Sequence, residues 1–439
     1  MGQSVSIEML PADHGDALYV SYGDELECHH LWIDGGLGQS FSKGWAKRVR
    51  QLGAQGAALD VLVVTHFDTD HINGVQAFIR ANHKGGHADA IIPVRQVWFN
   101  QYRHVREYGG PRAMPAEPAS SGAPRWATRL DFLREVALRA VPLAPLAARL
   151  AISAPKGFAE ALRGPAEASK LTDLLGGHYP SNEAFQGHAV VRTVVPPEIP
   201  LPGGARAWVL SPTPEGLAAL YGAWEAYLAK RNLVRLLEVR GVSPASDGDA
   251  LVPGFVQQVA LRAGEDLELP LEGRKEDLGL PIKLLAERCF REDDRPANGS
   301  SIALLLEYAG HRLLLPGDAH PSDLVEGLSK LGFSAGSPVE LDAVKLAHHG
   351  SRANTSPELL ALMRCDRYLV STNGEAFNHP DKECLARVIW ANQDRPGTTL
   401  FFNYPGTPAE LAIANEADQK AYGYRIEHLD QGRSLVLGE

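Results

Sequence analysis

The densest chemistry in the chain lies in six consecutive residues, His66-Phe67-Asp68-Thr69-Asp70-His71, which place two imidazoles and two carboxylates together within THFDTDHINGV. All four are metal-ligand side chains. A helix would scatter these positions around its surface, because only residues three or four apart share a face. A tight loop at a strand end can converge them on one point. The preceding segment, LDVLVV, is a continuous apolar run of strand length, which reads as a strand covered on both faces. The following segment, HINGVQAFIR, reads as the start of a helix. A solvated acidic loop that carries both histidines by accident is the weaker alternative, so His66, Asp68, Asp70 and His71 are read as metal ligands.

HFDTDH resembles the HxHxDH motif of the metallo-β-lactamase superfamily, with Asp68 in place of the second histidine. That HxDxDH form resembles the nuclease domain of ComEC-type DNA-uptake proteins and their stand-alone soluble relatives. Further segments follow in the family's order: ADHGDALYV, LWIDGG, LLLPGDAH, DAVKLAHHGS and Asn378-His379-Pro380. Together the matches span roughly residues 5–99 and 206–405, and they are specific as a set. The resemblance implies an α/β fold, the four-layer αββα metallo-β-lactamase sandwich, with two divalent ions at one end of its sheets. It implies that His66 and Asp68 hold the first ion, and Asp70 and His71 the second. Asp318 matches the bridging carboxylate, and His379 matches the last histidine, a ligand of the second ion. His348 and His349 fall beside the ions; with Asp70 they form the catalytic set, one of them acting as ligand or as general acid. Where the wider superfamily has another histidine, this chain reads Asn298-Gly299-Ser300-Ser301, as in the ComEC-like branch. Two imidazoles are thus missing from the first site, and oxygen ligands shift preference toward Mn²⁺ or Mg²⁺ while still accommodating Zn²⁺.

Three carboxylates, Asp68, Asp70 and Asp318, against two divalent ions leave about one positive charge, which suits a phosphate substrate. Metals about 3.5–4 Å apart can generate a bridging hydroxide and stabilise the leaving oxygen. The expected function is therefore a phosphodiesterase or nuclease acting on a nucleic acid or nucleotide. A lactone, thioester or carboxylic ester hydrolase of the same fold is the second reading. A binding protein with a degenerate metal site is the third, and the complete ligand set argues against it.

The elements that must position these residues alternate in α/β fashion. SVSIEML, DALYVSYG and HHLWIDGG read as strands, SIALLLEY and HRLLLPGD as a hairpin turning at Ala309-Gly310, and SDLVEGLSKLG as a helix stopped by Gly332. Residues 1–100 are read as the first half of the core. Residues 101–205 are an inserted, mostly helical segment, suited to a lid, a cap or a homodimer contact. Residues 206–439 are the second half, with a second insertion at about 241–295.

Composition narrows the setting. At 439 residues the chain exceeds the usual length of one core, so insertions or a second domain are expected. A net charge of −10 argues against broad binding to duplex nucleic acid and favours a small or restricted phosphodiester. No run of about 18 uncharged apolar residues suggests a membrane span, and the first residues lack a leader pattern. The four scattered cysteines suit a reducing cytoplasm.

Several residues stand open. His14 is as much a turn residue as a site-lining one. Asp34 reads as an orienting group for ligands or a turn former, and His320 as a helix-start residue. Lys345 could contact phosphate or lie solvated at a sheet edge. His29 and His30 alternate on one strand, so at most one is expected to be buried. Trp98, Phe99, Tyr102, Arg103 and Arg106 could clamp a nucleotide, but core packing of the aromatics is preferred.

Overall fold

Ala303–Tyr308 and His311–Leu315 are both strands, joined where Ala309 and Gly310 take positive φ of 51° and 86°. Two left-handed residues make the hairpin turn whose twist matches its strands. The run ALLLEY is nearly all apolar because both of its faces are covered. Leu304 and Leu306 join one buried cluster and Leu305 another. Burying each such side chain contributes about 1.5–3 kcal/mol.

The computed structural model describes residues 2–24, 26–83, 90–109, 163–176, 178–225, 274–395, 397–429 and 433–438. Met1–Tyr108, Arg163–Tyr221 and Pro270–Glu439 form one compact unit. The other unit, Gly109–Leu162 with Gly222–Leu269, lies almost wholly outside the described residues. The helix expected in ATRLDFLREVALRA and much of both expected insertions therefore fall outside them.

The first sheet has six strands. β1 (Ser4–Met9), β2 (Leu18–Gly23) and β3 (Cys28–Ile33) are antiparallel neighbours, and β4 (Val61–Val63) and β5 (Val97–Trp98) continue in parallel. The C-terminal strand Leu435–Leu437 closes the other edge against β1. The second sheet has eight strands. β6 (Glu198–Pro200), β7 (Arg206–Ser211), β8 (Ala303–Tyr308) and β9 (His311–Leu315) are antiparallel in sequence. A short β10 (Val339–Glu340) pairs separately with β12 (Met363–Arg364). β11 (Ala343–Lys345), β13 (Arg367–Val370), β14 (Thr398–Phe402) and β15 (Tyr424–His428) extend the second sheet in parallel from β9.

One core cluster is shared by the two sheets, with Val5, Ile7, Leu31, Val61 and Val63 from the first and Val209, Leu304, Leu313 and Leu369 from the second. The second cluster joins Leu305, Leu314 and Val344 to Leu324 and Leu328 of helix Pro321–Lys330 and to Leu385 and Ile389 of helix Lys382–Ala391. On the first sheet, Trp32 packs on Trp45 at 4.6 Å, and Trp45 on Phe78 of helix Thr69–His83 at 5.5 Å.

Three expectations meet the structure here. Trp98 and Phe99 are buried, as core packing requires. Helix Arg163–Leu175 lies within the main unit, and Gln76 Nε2 donates to Glu167 O at 3.1 Å and to its Oε2 at 2.9 Å. The expectation that at most one of His29 and His30 is buried is corrected, since both are. Both faces of β3 are covered: His30 meets the Tyr19 hydroxyl at 2.8 Å, and His29 Nδ1 lies 3.5 Å from Asp60. No described helix is long and apolar enough to cross a membrane.

The helix carrying Asp70 and His71 is docked on the turn after β3 by two bonds from glycine N–H groups. Gly35 N donates to His71 O, and Gly74 N to Gly36 O, both at 2.8 Å. A Cβ on Gly74 would stand 1.7 Å from Gly35 O, so the helix would have to move. We expect Gly74→Ala to lower the unfolding free energy by about 1–3 kcal/mol in urea denaturation. Unchanged stability would show that this close approach is not needed.

Candidate metal centre

Topology brings the site together. β3 and β4 are parallel, and their C-terminal ends carry Asp34 and the His66–His71 loop. β9, β11 and β13 are parallel, and their ends carry Asp318, His348-His349 and His379. β2 runs against β3 and β8 against β9, so the loops entering them reach the same end, with Asp16 before β2 and Asn298 before β8. A backbone bond joins the sheets there, Ile302 N donating to Thr65 O at 2.9 Å, and on the first sheet's side Asp16 N donates to Asp70 O at 3.2 Å.

Asp318 is the focus. Its Oδ2 lies 3.4 Å from His71 Nε2, 3.7 Å from His66 Nε2, 3.8 Å from His348 Nε2 and 3.9 Å from His349 Nε2. His66 Nε2 is also 3.8 Å from Asp68, and His349 Nε2 is 3.4 Å from Asp70. The Nε2 atoms of His66, His71 and His349 and the Oδ1 of Asp318 are buried with no hydrogen-bond partner. Leaving such atoms unsatisfied costs about 1–3 kcal/mol each. Ligand atoms of Asp16, His71, Asp318 and His349 also lie within 4.8 Å of one another. A mixed nitrogen and oxygen set with converging, unsatisfied lone pairs fits divalent cations.

Each inner imidazole is aimed by a partner on its other nitrogen. His71 Nδ1 meets Asp34 Oδ2 at 2.8 Å. Asp34 also accepts from Thr65 N at 2.8 Å and Thr65 Oγ1 at 2.6 Å. With its hydrogen given to Asp34, Thr65 Oγ1 accepts from His66 Nδ1 at 3.0 Å. His349 Nδ1 faces Ser371 O at 3.1 Å and Asp16 Oδ1 at 3.3 Å. These contacts place the ring hydrogens on Nδ1 and the lone pairs on Nε2, toward Asp318.

The titration of the groups reports the same field. Burial works to lower the pKa of His71, but Asp318, Asp34 and Asp70 outweigh it and hold it well above the usual value. Burial likewise opposes charge on His349, yet Asp16 and Asp318 push it up to about 9. Burial disfavours the charged form of Asp318, but the imidazoles around it, His71 first, hold it well below the carboxylate range. A buried centre that stabilises cations this strongly invites a metal in place of protons.

His348, His349 and Gly350 all take positive φ, at 48°, 53° and 84°. Such a conformation costs about 1–2 kcal/mol per non-glycine residue. It is held by His348 N donating to Gly317 O at 3.1 Å and by Asp381 N donating to Gly350 O at 2.9 Å. The turn presents the two rings differently. His349 reaches Asp70 and Asp318, whereas His348 Nε2 meets Arg295 Nη2 at 2.9 Å.

The structure thus gathers His66, Asp68, Asp70, His71, Asp318, His348 and His349. His379 stands one ring further out, 5.1 Å from His348 by ring centroid, with Nδ1 3.4 Å from Asp381. Among the described residues it makes no ion-pair contact with Asp70 or Asp318, and the contact to both comes from His349. Asp34 proves to orient His71, and His320 stands at the start of helix Pro321–Lys330 with its Nε2 3.1 Å from Arg295 O. His14 is partly buried at the rim, where its pKa is lowered by burial and where Asp70 and His349 act on it. Lys345 fits neither expectation, because it is buried in an ion pair with Asp16. Asp16, Thr65, Asp293, Arg295 and Asn354 were not singled out by sequence. Only Asp16 carried a signal, the Gly-Asp before an apolar strand.

Residues 31–126 match the family model for the metallo-beta-lactamase superfamily, most members of which are metal-dependent hydrolases. The matched stretch includes Asp34 and the whole His66–His71 loop. No curated protein matches the chain.

Asp34 offers a direct check on this geometry. Asp34→Asn keeps the size of the side chain but weakens its hold on His71, and we expect divalent-ion affinity to fall about 10–100-fold in a calorimetric titration. Unchanged affinity would mean that His71 does not depend on this partner.

Proposed function

We propose that the chain is a two-metal phosphodiesterase or nuclease acting on a small or restricted phosphodiester. The observation that carries this reading is the uncompensated charge around Asp318. Asp16 is paired with Lys345 and Asp293 lies beside Arg295. Asp68, Asp70 and Asp318 then remain facing the unsatisfied imidazoles. Two divalent ions there would leave about one positive charge for an anionic substrate.

His66, Asp68 and Asp318 would hold one ion. Asp70, His71, His349 and Asp318 would hold the other. Ions so placed supply Lewis acidity toward a phosphoryl oxygen and lower the pKa of an attacking water. Asp34, Thr65 and Asp16 keep the imidazole lone pairs pointed inward, so that the ligands need not reorganise. The oxygen-rich set favours Mn²⁺ or Mg²⁺ and accommodates Zn²⁺. The four-layer sandwich completes the reading, and a lid or dimer contact within residues 101–205 would lie outside helix Arg163–Leu175 and β6, which belong to the main unit. The net charge of −10 supports a nucleotide or a short nucleic acid over long duplex.

The test uses chelator-stripped protein resupplied with Mn²⁺, Mg²⁺ or Zn²⁺, on bis-p-nitrophenyl phosphate and on a p-nitrophenyl carboxylic ester. The reading expects metal-dependent diester cleavage that falls about 100-fold or more in Asp70→Ala and Asp318→Ala. Cleavage of the ester alone would move the chain to the lactone and ester hydrolases. Diester cleavage that survives both substitutions would remove the proposed centre from the chemistry.

A further inference from the structure

We propose that Arg295 is the anion-recognition residue of this centre, and that His348 positions Arg295 instead of ligating an ion or donating a proton; the proposal rests on the phosphodiester reading above and names the phosphate group as what Arg295 binds. Arg295 immediately precedes the short helix Pro296–Gly299 in the loop entering β8. Its side chain is 29% exposed, so one edge reaches solvent while the rest lies at the site. Burial opposes its charge, but Asp293, Asp68, Asp318 and Asp70 all favour it, which places the guanidinium in the field of the motif carboxylates.

The hydrogen-bond chain behind His348 fixes what that residue can do. Asn354 Nδ2 donates to Asp318 O at 3.1 Å, to Asp293 Oδ2 at 3.2 Å and to Ala319 O at 3.4 Å. Its amide is thereby oriented with Oδ1 toward His348 Nδ1, at 2.9 Å. An oxygen there only accepts, so Nδ1 carries the hydrogen. Asn298 Nδ2 approaches the same nitrogen at 3.4 Å, but the shorter contact and Asp293 Oδ2 at 3.5 Å both call for a donor. The other nitrogen, Nε2, faces Arg295 Nη2 at 2.9 Å. Arginine does not deprotonate, so it must donate and Nε2 must accept. The contacts of His348 therefore put its hydrogen on Nδ1 and commit its Nε2 lone pair to the guanidinium. Its Nε2 lies 3.8 Å from Asp318 Oδ2, but the lone pair there is taken by the guanidinium at 2.9 Å. The adjacent His349 differs, since its Nε2 is buried and unsatisfied.

A guanidinium has five donors in a planar fork. Nη2 is used by His348, and Nε faces Asp293 at 3.6 Å. The remaining donors suit the non-bridging oxygens of a phosphate, which take paired N–H bonds and need positive charge. A neutral ester would gain little from this cation. Arginine also keeps its charge at every working pH.

The experiment titrates inorganic phosphate into Mn²⁺-loaded protein by calorimetry and measures bound Mn²⁺ in the same samples. R295Q should keep the wild-type Mn²⁺ stoichiometry and bind phosphate about 10–100-fold more weakly. R295K should recover part of the loss. H348Q should keep its Mn²⁺ and weaken phosphate in the same direction, by less. For bis-p-nitrophenyl phosphate, KM should rise more in R295Q than kcat falls. Unchanged phosphate affinity in R295Q overturns the proposal, as does a wild type that binds no phosphate. Lost Mn²⁺ in R295Q or H348Q also overturns it, because the pair would then serve the ions. A wild type that binds Mn²⁺ and phosphate but cleaves no diester would sink the phosphodiesterase reading while the phosphate comparison still decides the role of Arg295.

Discussion

Everything at the open end of the two sheets is organised around one buried carboxylate, Asp318, with four imidazole nitrogens within 3.9 Å of its Oδ2. Burial penalises every charge not paired there, so a cluster of carboxylates and imidazoles needs each of its charges compensated. The surrounding structure answers this charge by charge. Lys345 meets Asp16, Arg295 lies beside Asp293, and Thr65 donates to Asp34. The negative charge left over faces the centre, and a metal is the group that would balance it.

The fold supplies this focus through strand direction. Parallel pairs β3–β4 and β9–β11–β13 deliver their C-terminal loops to one end, and antiparallel neighbours return the loops before β2 and β8 to it. The shared core below is apolar and tightly covered. The backbone strain sits in the loops, at His348 and His349, where left-handed φ directs the His349 ring between Asp70 and Asp318 and the His348 ring between Asp318 and Arg295. Strain of this kind persists only where surrounding bonds over-determine it.

The sequence was most informative where ligands are consecutive. HFDTDH announced itself because four ligand residues fall within six positions after a buried strand. The hairpin at Ala309-Gly310 and the stop at Gly332 were readable from turn chemistry, and Asp34 from its glycine turn. Residues that act across the fold were not readable. Asp16 and Lys345 are 329 positions apart, and nothing local distinguishes a buried, paired lysine from a solvated one. Asp293, Arg295 and Asn354 sit in ordinary polar loops whose meaning appears only when β8 and β11 bring them to His348. The sequence left His348 and His349 undistinguished, because what separates them is the direction of a ring, which spacing does not encode. His29 and His30 followed the expected alternation, but both faces of their strand are covered.

The most direct test of the central claim is a crystal structure of the Mn²⁺-loaded protein with anomalous scattering recorded at a wavelength sensitive to manganese. The account predicts two peaks about 3.5–4 Å apart, with Asp318 shared between them, His66 and Asp68 on one, and Asp70, His71 and His349 on the other. A single peak, or two peaks that do not share Asp318, would contradict it.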